Sequence, residues 1–169
     1  KFAAVIHPLD LRLFSTYEAG AKYRREIVIN KLLEWTSPFE YAPITGIKSL
    51  NGKAIDGELI LCPLLPQQII NLKSSFVLNK IIEAGHIAEK IGAKIFSLTA
   101  YTAQVGKKGV MVAKALKIPV TTGTSYTIAA GIDGVLNTAA KIGIDINKSK
   151  NNNNRGYRQY RKHLRRILL

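Results

Sequence analysis

Hydroxyl side chains are concentrated in residues 121–127, Thr-Thr-Gly-Thr-Ser-Tyr-Thr, between a predicted strand and a predicted helix. Free backbone N–H groups and the helix dipole at such a point can hold an anion or a carbonyl oxygen. Ordinary N-capping by Thr124 or Ser125 would use the same residue types, so both interpretations stay open. A second hydroxyl-bearing turn, residues 99–102, follows the preceding predicted strand. The carboxyl ends of parallel strands meet at one edge of a sheet, so the two turns predict a cleft there.

Two histidines and one cysteine are the other candidates for chemistry in the main part of the chain. His7 ends the first predicted strand, where functional groups of open α/β sheets gather, and we predict a weaker substrate contact there. His86 lies within a predicted helix, where a lone histidine is more often a surface or core residue than a ligand. Cys62 ends a buried strand beside no evident base, which favours an inert thiol. The remaining carboxylates are scattered, so the sequence predicts no metal site and assigns no catalytic residue.

The elements that would position these residues alternate between strands and helices. Apolar runs and helical spacing give the limits of both kinds of element. The predicted strands are residues 2–6, 39–49, 53–61, 94–98 and 118–121, and the predicted helices are residues 11–35, 66–72, 74–92, 109–116 and 126–142. Asn51 and Gly52 between two of the strands form the strongest short hairpin signal. This order predicts an α/β fold with a mostly parallel sheet, an antiparallel hairpin and flanking helices.

Length and composition narrow the class of protein. The chain has 169 residues, 47% of them hydrophobic, which fits one domain with a genuine core. A single cysteine excludes a disulfide framework and fits a reducing compartment, so a cytoplasmic location is expected. No apolar run approaches the roughly 18 residues that a membrane span needs, and no signal peptide is evident.

The formal charge of +14 is unevenly distributed along the chain. Residues 151–169 contain six Lys or Arg and no acid, which leaves 19 basic and 11 acidic residues in 1–150. This tail also contains four consecutive asparagines and two tyrosines, a composition suited to phosphates and stacked bases. A polyanion- or RNA-binding protein is therefore the alternative function. The basic charge of residues 1–150 would equally suit an acidic protein partner, so charge alone does not distinguish binding of a polyanion from binding of an acidic protein.

An ordered series of motifs resembles a known family. Its parts are residues 57–66 (GELILCPLLP), the helix over 79–92, residues 95–106 (IFSLTAYTAQVG), and TTGTSYT followed by a helix and GIDI. The chain resembles, over residues 2–146, the N-terminal domain of long-chain fatty acyl-(acyl-carrier-protein) reductases and their relatives, the predicted amino acid or shikimate-type dehydrogenases. The resemblance implies a substrate-side α/β domain at 1–146, followed in relatives by a Rossmann domain that binds NADPH. It also implies reduction of an acyl thioester to an aldehyde through a cysteine beyond the nucleotide domain. Cys62 matches a cysteine of some relatives that is not this nucleophile.

The resemblance and the two hydroxyl turns together predict a set of substrate-binding residues. These would act as backbone or hydroxyl donors to a substrate carbonyl or phosphate, with His7 as the weaker member. The predicted residues are Thr102, Thr122, Gly123, Thr124, Ser125 and His7. The first turn departs from the family, because Ser97 and Thr99 stand where relatives tend to have Gly, and Ala103 where they have Ser. Only Thr102 matches there.

The tail departs from the family pattern more than the first turn does. After GIDI, relatives continue into a strand and a Val-Gly-Ala-Thr-Gly-x-Ile-Gly phosphate loop, whereas residues 147–169 form the basic tail. A coding sequence that residues 151–162 permit, shifted by one base, encodes Ile-Ile-Ile-Ile-Gly-Ala-Thr-Gly-Ser-Ile-Gly. We hypothesise that a one-base slip near Lys150 replaces the start of a nucleotide-binding domain. Sequencing the gene through codons 145–169 tests this hypothesis, and an alternate frame without the glycine loop overturns it.

The resulting prediction is the substrate-binding domain of an NAD(P)H-dependent oxidoreductase. No cofactor is expected on this chain alone, which we expect to be inactive by itself, although NADPH is implied for the full-length family. The expected partners are an acyl or amino-acid-type substrate, acyl carrier protein and the missing nucleotide-binding domain, with nucleic acid and membrane disfavoured. A non-functional product of a damaged gene is the third possibility that the sequence leaves open.

Overall fold

The computed structural model describes residues 1–11 and 25–143. The helix predicted over 11–35 lies partly outside these residues. The basic tail, the hypothesised glycine loop and the predicted boundary at 146–147 lie wholly outside them. The chain forms two compact units, Lys1–Thr124 and Ser125–Leu169.

A five-stranded sheet forms the centre of the first unit. Its strands are β1 (Phe2–Ile6), β2 (Phe39–Lys48), β3 (Ala54–Leu61), β4 (Phe96–Leu98) and β5 (Val120–Thr121). They are arranged in the order β2-β3-β1-β4-β5. All neighbouring pairs are parallel except β2 and β3, which form the predicted antiparallel hairpin. The fold class expected from the alternation of elements is confirmed.

Helices flank this sheet. They are α1 (Glu26–Trp35), α2 (Pro66–Asn71), α3 (Ser74–Lys90), a 3-10 helix (Ala100–Gln104), a single turn at Val105–Lys108 and α4 (Val110–Ala115). Helix α5 (Thr124–Lys141) starts at the last residue of the first unit and otherwise belongs to the second unit. Helix α3 supplies much of the main core, where its Ile81 and Ala84 are fully buried with Val5 and Phe96 of the sheet. A smaller cluster joins Ile29 and Leu33 of α1 to Leu65. The sheet therefore has one main core, built largely on α3, and α1 is anchored separately.

Some element limits differ from the predictions. Helix α3 begins at Ser74, as predicted, and the residue before it, Lys73, makes no side-chain capping hydrogen bond. Strand β5 starts directly after Pro119 and lies at the sheet edge, as proline predicts. Strands β4 and β5 are shorter than predicted: β4 pairs with β1 through three residues and with β5 through two. Gly92, which follows α3 after Ile91, has a positive φ of 77°, as glycine beyond the end of a helix commonly does.

Polar side chains fix α1 to the neighbouring helices. Gln68 of α2 accepts a hydrogen bond from Leu65 N and donates to the backbone oxygen of Asn30, at 3.0 and 2.9 Å. Lys80 of α3 is buried, and its Nζ donates to the backbone oxygen of Thr36 at the C-terminus of α1. A cation at a helix C-terminus is also favoured by the helix dipole. These contacts hold α1 in place where its own buried face is small.

The hairpin strand β2 forms one edge of the sheet. It is mostly exposed, and its register against β3 shifts twice, between Glu40 and Ala42 and again between Ile44 and Ile47. It also contains Pro43, which has no N–H to donate. Bulges and proline are the features by which natural edge strands avoid pairing with other chains.

Glu89 joins the end of α3 to the loop after α4. Its carboxylate lies 2.9 Å from Nδ1 of His86 and accepts a hydrogen bond from the backbone N–H of Lys117. The His86 hydrogen bond, followed by that from Lys117, lowers the pKa of Glu89 below its ordinary value. His86 is thus an exposed surface residue paired with a carboxylate, as expected for a lone helical histidine.

Glu89→Gln is expected to lower the melting temperature at pH 7 by a few degrees, and the difference should vanish at acid pH, where Glu89 is protonated in both the folded and the unfolded chain. A lowered pKa stabilises the fold above the unfolded-state pKa, and this stability is lost as pH falls through the folded-state pKa. Thermal denaturation of both proteins from pH 2 to 8 measures the difference. Glu83→Gln is the control, an exposed change of the same kind on the same helix. An equal deficit at every pH would contradict the assignment.

Within residues 1–11 and 25–143, no helix is both long and apolar enough to cross a membrane.

Candidate substrate site at the carboxyl edge of the sheet

The strand register places three strand ends side by side. Val5 of β1 pairs with Leu98 of β4, and Ser97 of β4 pairs with Thr121 of β5. Because all three strands are parallel, the turns that follow β4 and β5 leave the sheet at the same edge as His7. The expectation that the two hydroxyl-bearing turns share one edge is confirmed.

The turn after β4 is organised by two threonines. Thr102 is fully buried, and its hydroxyl donates to the backbone oxygen of Thr99 at 2.7 Å and accepts from Thr99 N at 3.0 Å. The Thr99 hydroxyl donates in turn to the backbone oxygen of Val5, at 2.6 Å. Thr102 therefore holds the start of the 3-10 helix in shape, and Thr99 joins that turn to β1. Its contact with a substrate stays a prediction.

The turn after β5 keeps its hydroxyl groups nearer the surface. The hydroxyl oxygens of Thr122 and Thr124 lie 2.8 Å apart, Thr122 is half-buried, and Thr124 is exposed. Gly123 N donates to the hydroxyl of Thr121 at 3.2 Å, and a φ of 67° explains why glycine occupies this position. Ser125 is exposed and begins the second unit. The predicted donors of residues 122–124 thus form one turn, at which α5 begins.

A left-handed turn of the backbone, residues 106–109, lies beside these groups and was not predicted. Gly106, Lys107, Lys108 and Gly109 all have positive φ, at 60°, 55°, 57° and 84°. A Cβ at Gly109 would lie 2.9 Å from Cδ1 of Leu98 and 3.4 Å from Cγ2 of Thr122. The left-handed turn therefore packs on the end of β4 and on the hydroxyl turn, and it brings two exposed lysines to the same edge.

Backbone strain is concentrated at this edge. Among the described residues, the non-glycine positions with positive φ are Ala100, Lys107 and Lys108, and all three follow β4. Each costs of the order of 1–2 kcal/mol relative to an ordinary conformation. Strained residues of this kind cluster at functional sites of proteins. The only sequence signal for the turn is the pair of glycines that flank the lysines.

His7 is nearly buried at the end of β1, with 8% of its surface exposed. Its Nδ1 lies 3.0 Å from the backbone oxygen of Pro8, and its ring packs edge-on against Tyr101, with centroids 5.8 Å apart. Its Nε2 is buried, and no residue in the described ranges hydrogen-bonds to it. His7 thus lies beside the turn after β4 with one ring nitrogen unsatisfied.

Cys62 is not part of the candidate site at the carboxyl edge of the sheet. It is fully buried, and burial raises the pKa of its thiol to about 12, a rise that the nearby Lys80 partly offsets. A buried thiol with a raised pKa is inert as a nucleophile, as the sequence favoured.

We expect Cys62 to resist alkylation by iodoacetamide at pH 8 in the native protein. With a pKa near 12, about one thiol in ten thousand is ionised at that pH, and the side chain is also inaccessible. Mass spectrometry should show one added group only after denaturation. Stoichiometric labelling of the folded chain within minutes would show that the thiol is accessible and reactive.

Among the residues that the structure describes, no group of three or more His, Cys, Asp or Glu side chains could hold a metal ion. A comparison with protein-family models finds none that matches the chain, and a comparison with curated proteins finds no similar sequence. The candidate site is therefore supported by its geometry alone, and the family resemblance stays a prediction.

Proposed function

We propose that this chain is the substrate-binding α/β domain of an NAD(P)H-dependent oxidoreductase that resembles acyl-(acyl-carrier-protein) reductases or shikimate- and amino-acid-type dehydrogenases. The observation that supports it best is the meeting of three features at the carboxyl edge of one parallel sheet. These are the buried His7, the strained turn after β4 and the hydroxyl turn after β5. Ligands of open α/β sheets bind in crevices at this edge.

The proposed role of the edge is to bind and orient a carbonyl or a phosphate group. Thr122, Gly123 and Thr124 supply hydroxyl and backbone N–H groups, and Ser125 follows them in the chain. Lys107 and Lys108 supply positive charge on the adjacent turn. Donors fixed in advance by the fold stabilise negative charge that develops on a carbonyl oxygen during reduction.

The residues of this chain do not fit the nucleotide cofactor. NADPH binding in such enzymes requires a glycine-rich loop between a strand and a helix, and no Gly-x-Gly-x-x-Gly sequence occurs in the chain. We therefore assign the nucleotide to a separate domain and derive no hydride-transfer step from this chain. A cytoplasmic location belongs to the same proposal, supported by the single buried cysteine.

Amide NMR of the isotopically labelled chain tests substrate binding directly. The chain is titrated with butyryl-pantetheine, as an acyl thioester, and with serine and 3-hydroxybutyrate, as polar substrates. We expect saturable shifts at residues 99–109 and 121–124 with at least one of these compounds. Thr122→Val combined with Thr124→Val should weaken binding several-fold, whereas Thr45→Val, an exposed change on β2, should not. The absence of saturable shifts with every compound would overturn the proposal.

The alternative, polyanion binding by the basic tail, predicts a different result. Deletion of residues 147–169 removes the Arg- and Tyr-containing segment and leaves the described residues intact. Fluorescence anisotropy with labelled poly(U) at two salt concentrations compares the deleted and full-length chains. Binding that is tight, salt-dependent and lost on deletion, together with no substrate shifts at the sheet edge, would favour the alternative.

A further inference from the structure

His7 carries a buried hydrogen-bonding atom that no described residue satisfies. The side chain is 8% exposed, and its Nε2 has no hydrogen-bond partner. A buried polar atom without a hydrogen bond destabilises the fold, so native proteins rarely contain one without a reason.

The other ring nitrogen determines what Nε2 can bind. Nδ1 lies 3.0 Å from the backbone oxygen of Pro8, and a carbonyl oxygen only accepts hydrogen bonds. Nδ1 therefore carries the hydrogen, and in the neutral ring Nε2 keeps its lone pair. The partner that satisfies Nε2 must donate an O–H or N–H group.

Both threonine hydroxyl groups of the turn after β4 already donate to backbone oxygens. The single hydrogen of the Thr99 hydroxyl goes to the backbone oxygen of Val5, and that of Thr102 goes to the backbone oxygen of Thr99. Neither can donate to His7 without breaking the turn after β4. Tyr101 contacts the His7 ring and is itself 45% exposed. Because Nε2 is buried, the proposed ligand would have to enter beside this ring.

We propose that His7 is a specificity-determining residue that accepts a hydrogen bond from a hydroxyl or amino group of the substrate. This inference rests on the proposed function, since it places the substrate at the same edge. An unsubstituted acyl chain has no hydrogen to donate and would leave Nε2 unmet after binding. The site therefore selects hydroxy- or amino-bearing substrates over plain acyl chains.

A matched pair of compounds tests the selection. Butyrate and 3-hydroxybutyrate have the same charge and chain length and differ by one hydroxyl group. We expect 3-hydroxybutyrate to bind about three- to tenfold more tightly, the range for one hydrogen bond. In the chain labelled with ¹⁵N-histidine, NMR should show His7 as the Nδ1–H tautomer. The Nε2 resonance should move on adding 3-hydroxybutyrate and stay in place with butyrate.

Two substitutions distinguish the role of the Nε2 acceptor from that of the imidazole ring as a whole. His7→Asn places an amide N–H near the position of Nδ1 and removes the acceptor, so the preference should fall to about onefold. His7→Gln places an amide oxygen near the position of Nε2 and should keep part of the preference. The labelled wild-type chain gives its result even if a variant does not fold.

The outcomes distinguish this inference from the proposed function. Equal binding of both compounds, with shifts at residues 99–109 and 121–124, would overturn the role of His7 and leave the proposed function standing. A protonated Nε2 in the free chain, or an Nε2 resonance that neither compound moves, would also overturn it. No saturable shift with any compound would overturn both.

Discussion

Gly109→Ala is expected to lower the free energy of unfolding by about 2–5 kcal/mol. Two penalties add at this position. The residue has a φ of 84°, which L-residues with a Cβ adopt at a cost of about 1–2 kcal/mol. The new Cβ would also lie 2.9 Å from Leu98 Cδ1 in the core, and overpacking of that kind costs about 1–3 kcal/mol.

Urea denaturation measures this loss, and a second glycine separates the two penalties. Gly52 in the hairpin turn has a φ of 80° and no atom within 4 Å of an added Cβ. Gly52→Ala should therefore cost only the conformational part. If the two substitutions cost the same, Gly109 does not pack on Leu98 as described.

Thr102→Val is expected to lower the free energy of unfolding by about 2–3 kcal/mol, the second large effect. Valine keeps the shape of the buried side chain but removes the hydrogen bonds to Thr99 N and Thr99 O. A buried donor or acceptor that is left without a hydrogen bond lowers the stability by more than the loss of the bond itself. Thr102→Ser keeps the hydroxyl and should cost about 1 kcal/mol, for one buried methyl group.

Amide hydrogen exchange at Thr99 gives the decisive comparison for Thr102. Its amide donates to the Thr102 hydroxyl, so exchange should accelerate in the valine variant and stay slow in the serine variant. Fast exchange in the wild-type chain would show that the hydrogen bond is not formed. In that case the Thr102 hydroxyl would be free to contact a substrate, as the family resemblance implies.

The architecture of the sheet follows from local patterns in the sequence. Alternating apolar runs and amphipathic segments gave the order of elements, and Asn51 and Gly52 fixed the hairpin. Parallel pairing of β4 and β5 then brought their two hydroxyl turns to one edge. These features depend on short-range periodicity and on general rules of strand connection, which a single sequence carries.

The details of the site depend on contacts between distant residues. The left-handed turn at residues 106–109 requires Gly109 to lie against Leu98, and the flanking glycines alone do not specify that contact. The hydrogen bond from Thr99 to Val5 joins residues 94 positions apart. Helical spacing of apolar residues also does not predict whether they are buried. Val135 and Leu136 of α5 are apolar, but they are 63% and 48% exposed.

The two edges of the sheet limit how this protein can associate with others. Strand β5 has two residues, and β2 is interrupted by two register shifts and Pro43. Among the described strands, neither edge presents a long, regular row of free N–H and C=O groups, so these edges resist extension by a strand from another molecule. A partner protein would therefore dock through side chains rather than by adding a strand to the sheet.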